Sequence, residues 1–197
     1  MSAHENLEHA EHAEHASHGG NKKIALLISI IALFLAFSET LGKSAQTESI
    51  SLNIKASDTW NFFQAKTIRQ TALRAQAENG AAQLVGITDP AAKEAMAKQV
   101  DAWKATVTRY ESDPKEKDGR KELREQAHAY EHERDTALAR YHHYEVASAA
   151  FQIGIVLASA EVITGMVVLG WLSGGLGVIG LIFMGIGLFA PHAVHLV

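Results

Sequence analysis

The chain has 197 residues, 47% of them hydrophobic and 20% charged, with no cysteine and a formal net charge of −4. The missing cysteines exclude disulfides, thiolate metal sites and cysteine nucleophiles, and no basic patch with interleaved aromatics points to nucleic acid. The averages hide a segregation of charge. Residues 43–146 hold 16 of the 18 Lys and Arg and 16 of the 22 Asp and Glu, residues 24–37 hold none, and residues 147–197 hold Glu161 alone.

The tail, residues 1–22, repeats Glu-His-Ala over positions 8–16. Neutral imidazoles beside carboxylates suit Zn, Ni or Cu, so His9, His12 and His15 are candidate ligands for a divalent metal at the tail. The competing view is an acidic tail in front of a membrane segment, with no cofactor at all.

A helix needs about 20 mostly apolar residues to cross a bilayer. The first such segment is residues 23–42, with Lys22 and Lys23 before it and Glu39 near its far end. A signal peptide would show a small-residue cleavage site after the apolar run, and Glu39-Thr40-Leu41-Gly42-Lys43 is a poor one.

Residues 43–146 show helical spacing almost throughout and no strand-like alternation. Breaks are expected at Asn79-Gly80, Thr88-Asp89-Pro90 and Ser112-Asp113-Pro114, each Asp-Pro pair reading as an N-cap followed by proline at the first helical position. Three helices follow: about 43–78, 90–111 and 114–146. On the third, Leu123, Ala127, Tyr130, Arg134, Ala137, Tyr141, Tyr144, Ser148 and Phe151 recur at 4-3 spacing, an imperfect coiled-coil seam. With the first helix it should form an antiparallel hairpin, against which the second packs through Trp103 and Tyr110.

Two more apolar spans are expected, 147–169 and 172–190, joined by a tight hairpin at Gly170-Trp171-Leu172-Ser173-Gly174-Gly175, with residues 191–197 as a C-terminal tail. Pro191 ends the last helix. Glu161 would then lie about 14 residues into its span, roughly 20 Å deep. A charged carboxyl there costs about 2.5–3 kcal/mol or more if it faces lipid, so it should face protein or water, or stay neutral. At the same depth stand Ser29 and residues 177–180. Glu161, Ser29 and Glu39 are the intramembrane polar candidates. Ala150, Gly154 and Ala158 on one span, and Gly177, Gly180 and Gly187 on the next, form small-residue stripes that bring helices close in lipid, within the hairpin or between copies in a homo-oligomer.

The most distinctive run is Ala56-Ser57-Asp58-Thr59-Trp60-Asn61-Phe62-Phe63-Gln64-Ala65-Lys66-Thr67-Ile68-Arg69-Gln70, with Asp58, Trp60, Gln64 and Lys66 at its centre. Together with the Glu-His-Ala leader, the Lys-Lys pair, the first apolar span and the Gly-rich C-terminal hairpin, it resembles a bacterial membrane-protein family described as domain of unknown function 4337. The resemblance covers nearly the whole chain and implies a helical bacterial inner-membrane protein with no assigned activity and no catalytic residues to carry over. Read from the residues alone, Trp60, Phe63 and Gln64 share a helix face and form either a buried polar contact or a binding face.

The expectation is an all-α integral membrane protein with three spans and an extramembrane helical-hairpin domain. Lys22 and Lys23 favour a cytoplasmic N-terminus, which puts the middle domain in the periplasm. His128 and His132, at i, i+4 spacing, lack the rest of a zinc-protease motif, and phosphate loops, dinucleotide loops and nucleophile motifs do not occur. No enzyme is expected. The expected role is a self-assembling structural or scaffolding membrane protein, with a proton or ion channel using Glu161 and metal capture by the tail as alternatives. The bilayer, a second copy and an unknown membrane partner are the expected partners.

Overall fold

A computed structural model describes residues 22–194, and the histidine candidates of the tail, His9, His12 and His15, lie outside them. Among the described residues there are four helices and no strand: α1 Lys22–Gln83, α2 Pro90–Glu111, α3 Arg120–Thr164 and α4 Val167–Phe189. Three of them, α1, α3 and α4, are long and apolar enough to cross a membrane. The contacts fall into two units. One comprises the described residues up to Ile50 with those from Arg134 on; the other is Ser51–Glu133.

The first unit is a three-helix packing of apolar segments. Ile24, Ile28, Ile31 and Leu35 of α1 meet Ala147, Phe151, Ile155 and Ala158 of α3, each set at the spacing that keeps one face inward. Phe34 stacks on Phe151 at 6.2 Å between ring centroids. The buried Ser38 hydroxyl donates to the Tyr144 carbonyl at 2.9 Å, so a polar group inside the apolar contact is satisfied and ties α1 to α3.

α4 returns antiparallel to α3 and buries Ser173, Gly177, Gly180 and Gly187. The turn between them is not at Gly170–Gly175, which is helical, but at Gly165-Met166. Gly165 takes φ +72° and its N–H closes on the Glu161 carbonyl at 2.8 Å. That left-handed end to a helix is open to glycine at little cost. The glycines from Gly170 on stay helical, and Gly170, Gly177, Gly180 and Gly187 leave the room that Glu161, Ile31, Phe151 and the His143–Tyr144 pair occupy, whereas a Cβ on Gly174, Gly175 or Gly185 would meet nothing within 4 Å. The expected spans 147–169 and 172–190 therefore correspond to helices ending at Thr164 and beginning at Val167. Phe189 ends α4 just before Ala190 and Pro191, as the proline requires.

The second unit packs the rest of α1 and the start of α3 around α2. Asp89 caps α2 as expected, its carboxylate accepting from the Ala92 N–H at 2.9 Å with Pro90 next in line. Two other expected breaks shift. α1 runs straight through Asn79-Gly80, because Gly80 is a contact site: a Cβ there would lie 2.8 Å from Val100 Cγ2 and 3.1 Å from the Trp103 ring. Helix α3 begins at Arg120 and not at Pro114. Asp113-Pro114 starts a single turn, with Lys117 N–H on the Asp113 carbonyl at 2.7 Å, that stops where Lys117 enters the left-handed region at φ 57°. Glu122, in the first turn of α3, then reaches back to the Ser112 hydroxyl at 2.5 Å and the Asp113 N–H at 3.1 Å.

The 4-3 series on α3 is its inward face in both units. Leu123, Ala127, Ala137, Tyr144 and Phe151 are buried, and Tyr130, Arg134, Tyr141 and Ser148 are half-buried.

Candidate functional site

In the second unit, the distinctive run of α1 divides into two inward and two outward residues. Lys66 is 5% exposed. Its ammonium contacts the Asp118 carbonyl, pairs with the Asp118 carboxylate at 2.6 Å, and lies 5.3 Å from the centroids of both Phe62 and Tyr110. A buried ammonium needs such compensation, since an unpaired one loses its hydration for nothing in return. Trp60 donates its indole N–H to Glu131 at 2.8 Å and meets Phe63 and His128 edge-on at 5.5 and 5.1 Å. Asp58 and Gln64 are exposed, so Gln64 does not share the buried face with Trp60 and Phe63. The helix drifts about 100° per residue, and Gln64 falls on its wet side.

One turn beyond Lys66, Gln70 is also buried and was not singled out by sequence. Its amide donates to the Val107 carbonyl at 3.1 Å and to Glu111 at 2.9 Å, and accepts from Arg120 at 2.5 Å. Arg120 adds Glu111 at 2.8 Å and the Thr67 hydroxyl at 2.9 Å, with its guanidinium 5.1 Å over the Phe63 ring. The hydrogen bond from Gln70, with the positive charge of Arg120, holds the Glu111 carboxyl below its ordinary value. α1, α2 and the start of α3 are therefore clamped by one polar cluster whose members are all in use. The spacing of Lys66 and Gln70, i and i+4, was the available signal; what they reach lies 37 to 52 residues away in sequence and was not.

His128 bonds to Glu131 at 2.9 Å. Among the described residues no group of three or more His, Asp or Glu side chains is arranged to hold a metal ion.

In the first unit, Glu161 is buried, but not at mid-helix: it lies in the last turn of α3, three residues before the helix ends. The hairpin's true position accounts for the change in depth. Its carboxylate rests against Gly170 in the space a Cβ would fill, and its Oε2 has no hydrogen-bond partner among the described residues. Ser29, expected at the same depth, does not reach it, and neither does the Thr164 hydroxyl. Ser29 is exposed and bonds to the Ala25 carbonyl of its own helix, and Thr164 bonds to the Ala160 carbonyl. Glu39 accepts from Gln152 at 3.2 Å.

The small-residue stripes are used inside the chain. Gly154 faces the Ser173 carbonyl and Ile31, Gly177 faces Ile31, Gly180 receives the Phe151 ring, and Gly187 receives His143 and Tyr144. Ala150 and Ala158 are buried on α3. His143, 1% exposed, meets the Pro191 carbonyl through Nε2 at 3.0 Å and stacks on Phe183, tying the end of α4 to α3.

Where Ser38 joins Tyr144, a cleft of about 390 Å³ opens between α1 and α3, lined by charged and hydroxylic side chains.

Helices apolar enough to span a bilayer, a satisfied polar clamp in a charged unit, and glycines spent on helix contact define a helical protein whose two units are built on opposite chemistries. The model of a domain of unknown function (DUF4337) matches residues 20–190, and the chain belongs to that family. No curated protein and no solved structure matches it.

Proposed function

We propose that the protein is a multi-pass membrane protein of a bacterial inner membrane, anchored by the apolar parts of α1, α3 and α4, whose charged unit serves as a scaffold in the water phase rather than as an enzyme. The observation that carries this is what the distinctive residues do. Trp60, Lys66, Gln70 and Arg120 are spent on partners within the unit (Glu131, Asp118, Glu111 and each other) and on holding its helices together, which is the use a scaffold makes of such groups. The membrane placement is supported by outward-facing Leu26, Leu33, Phe37, Val156, Trp171 and Ile182 on stretches of these helices nearly devoid of charge. Trp171, 80% exposed near the hairpin, suits an interface. That Glu161 stands a turn from the end of its helix favours the scaffold reading over the channel reading. Self-association remains part of the proposal, through these outward apolar faces and not through the glycine stripe that α3 and α4 already fill.

The absence of cysteine gives a clean background for the test. Membranes carrying the chain are washed with alkaline carbonate, and Ser57→Cys and Met166→Cys variants are treated with an impermeant maleimide in intact cells. Both residues are exposed. The chain should stay in the pellet, Ser57→Cys should label at once, and Met166→Cys only after permeabilisation. Release by carbonate sinks the membrane assignment; the reverse labelling order sinks the orientation.

A further inference from the structure

The cleft between α1 and α3 stands where charge gives way to oil on both helices. On α1 its residues directly follow the uncharged stretch 24–37, and on α3 they directly precede the stretch in which Glu161 is the one charge. Its chemistry is mixed. Glu39 and Glu145 supply carboxylates, Lys43 an ammonium, and Gln46, Tyr141 and Ser148 neutral polar groups. Each carboxylate keeps acceptor capacity. Glu39 uses Oε1 for Gln152 at 3.2 Å; Glu145 takes a long contact from the Tyr141 hydroxyl at 3.4 Å on Oε1 and stands 3.7 Å from His142 on Oε2. Lys43, i+4 from Glu39 and about 5–6 Å away along one face, makes no salt bridge among the described residues and is exposed. Gly42, where a Cβ would stand 3.3 Å from Tyr144 Cβ, lets α1 and α3 approach closely at the cleft.

Two carboxylates and one ammonium, a helical turn apart and at the edge of the apolar zone, complement a ligand that carries an N–H-bearing cation and an anion close together. We propose that this cleft binds the phosphoethanolamine headgroup of a zwitterionic phospholipid, its ammonium between Glu39 and Glu145 and its phosphate at Lys43. A primary ammonium fits better than a quaternary one, since it has N–H donors for two carboxylates. An anionic glycerol headgroup would meet a net negative lining. The acyl chains of the lipid would run along the outward apolar side of the helices. The inference rests on the membrane reading above.

The full chain, purified in detergent and stripped of lipid, is mixed with equal amounts of ethanolamine, choline and glycerol phospholipids, and retained lipid is measured by native mass spectrometry. The ethanolamine lipid should be kept in preference to both others. Glu39→Gln with Glu145→Gln should lower that retention about tenfold or more, whereas Glu125→Gln with Glu133→Gln, the same charge change at exposed positions outside the cleft, should leave it intact. Circular dichroism checks that both variants keep their helix content. Equal retention of the three lipids, no loss in the Glu39/Glu145 variant, or equal loss in the control variant overturns the site. Soluble glycerophosphoethanolamine held as tightly as the lipid overturns the assignment to a lipid. A chain that does not enter ethanolamine-lipid vesicles at all sinks the membrane reading too; one that enters without headgroup preference sinks this site alone.

Discussion

The two units hold helices together by opposite means. In the apolar unit, Phe151 enters the space left by Gly180, and Ile31 lies over Gly177: beside a few hydrogen bonds such as Ser38 to Tyr144, contact there is shape, made possible by residues with almost no side chain. In the charged unit, Lys66, Gln70 and Arg120 reach across on long side chains and fix the helices by hydrogen bonds and charge. On the membrane reading proposed above, the difference follows from the solvent around each unit. Where the surroundings are as apolar as leucine, burying leucine gains little, and close backbone approach with dispersion is what remains. Where the surroundings are water, polar groups with long apolar stems both cover the contact and specify it.

That contrast predicts unequal responses to substitution. The largest loss should come from Gly180→Leu, because a Cβ alone would stand 2.5 Å from Phe151 Cε1 and the ring is packed on Phe34 and has nowhere to go. Overpacking of this kind costs about 3 kcal/mol, read as a lowered melting temperature in detergent, with faster hydrogen exchange in residues 140–190. A variant as stable as the parent would mean that α4 does not pack on α3 as described.

Next comes Lys66→Ala, which strips the charge from the clamp. Loss of a buried ion-pair partner costs about 3–5 kcal/mol, but the Asp118 side chain is 43% exposed and recovers water, so a loss of about 2 kcal/mol is expected. Exchange should quicken across residues 51–133 and stay unchanged in the apolar unit; equal quickening in both would break the distinction between them. Smaller still, Asp89→Ala removes the cap of α2 and should cost about 1 kcal/mol, visible as fraying of residues 90–94 alone.

Acidification gives the finest discrimination. The Glu111 carboxyl is held below its ordinary 4.5 by Gln70 and Arg120, and Glu122 below the same value by the Ser112 hydroxyl. A depressed carboxylate contributes stability that is present above the unfolded value and lost as pH falls through the folded one. The charged unit should thus loosen below about pH 4.5 while the helix contacts of the apolar unit, which rest on Gly177 and Gly180, hold. Glu111 is exposed and Glu122 half-buried, so the effect is modest, and Glu111→Gln should flatten it when exchange is followed against pH.

The sequence by itself determined the class of structure: three helices apolar enough for a bilayer, an all-helical charged segment, and a cap at Asp89, because hydropathy runs, helical periodicity and an Asp-Pro pair act over a few neighbouring residues. It named Trp60 and Lys66 from a local pattern, and the heptad face of α3 from its spacing. Only the tertiary structure decided what glycine was for. At Gly165 it ends a helix through φ +72°, while at Gly80 and at Gly170–Gly175 it lies inside one. A glycine allows a turn and allows a close neighbour equally well, and which use it takes depends on whether a Val100, a Glu161 or a Phe151 from a distant stretch arrives to fill the missing Cβ. The depth of Glu161 and the reach of Gln70 to Val107 and Arg120 were hidden for the same reason: they are set by partners that only folding brings near.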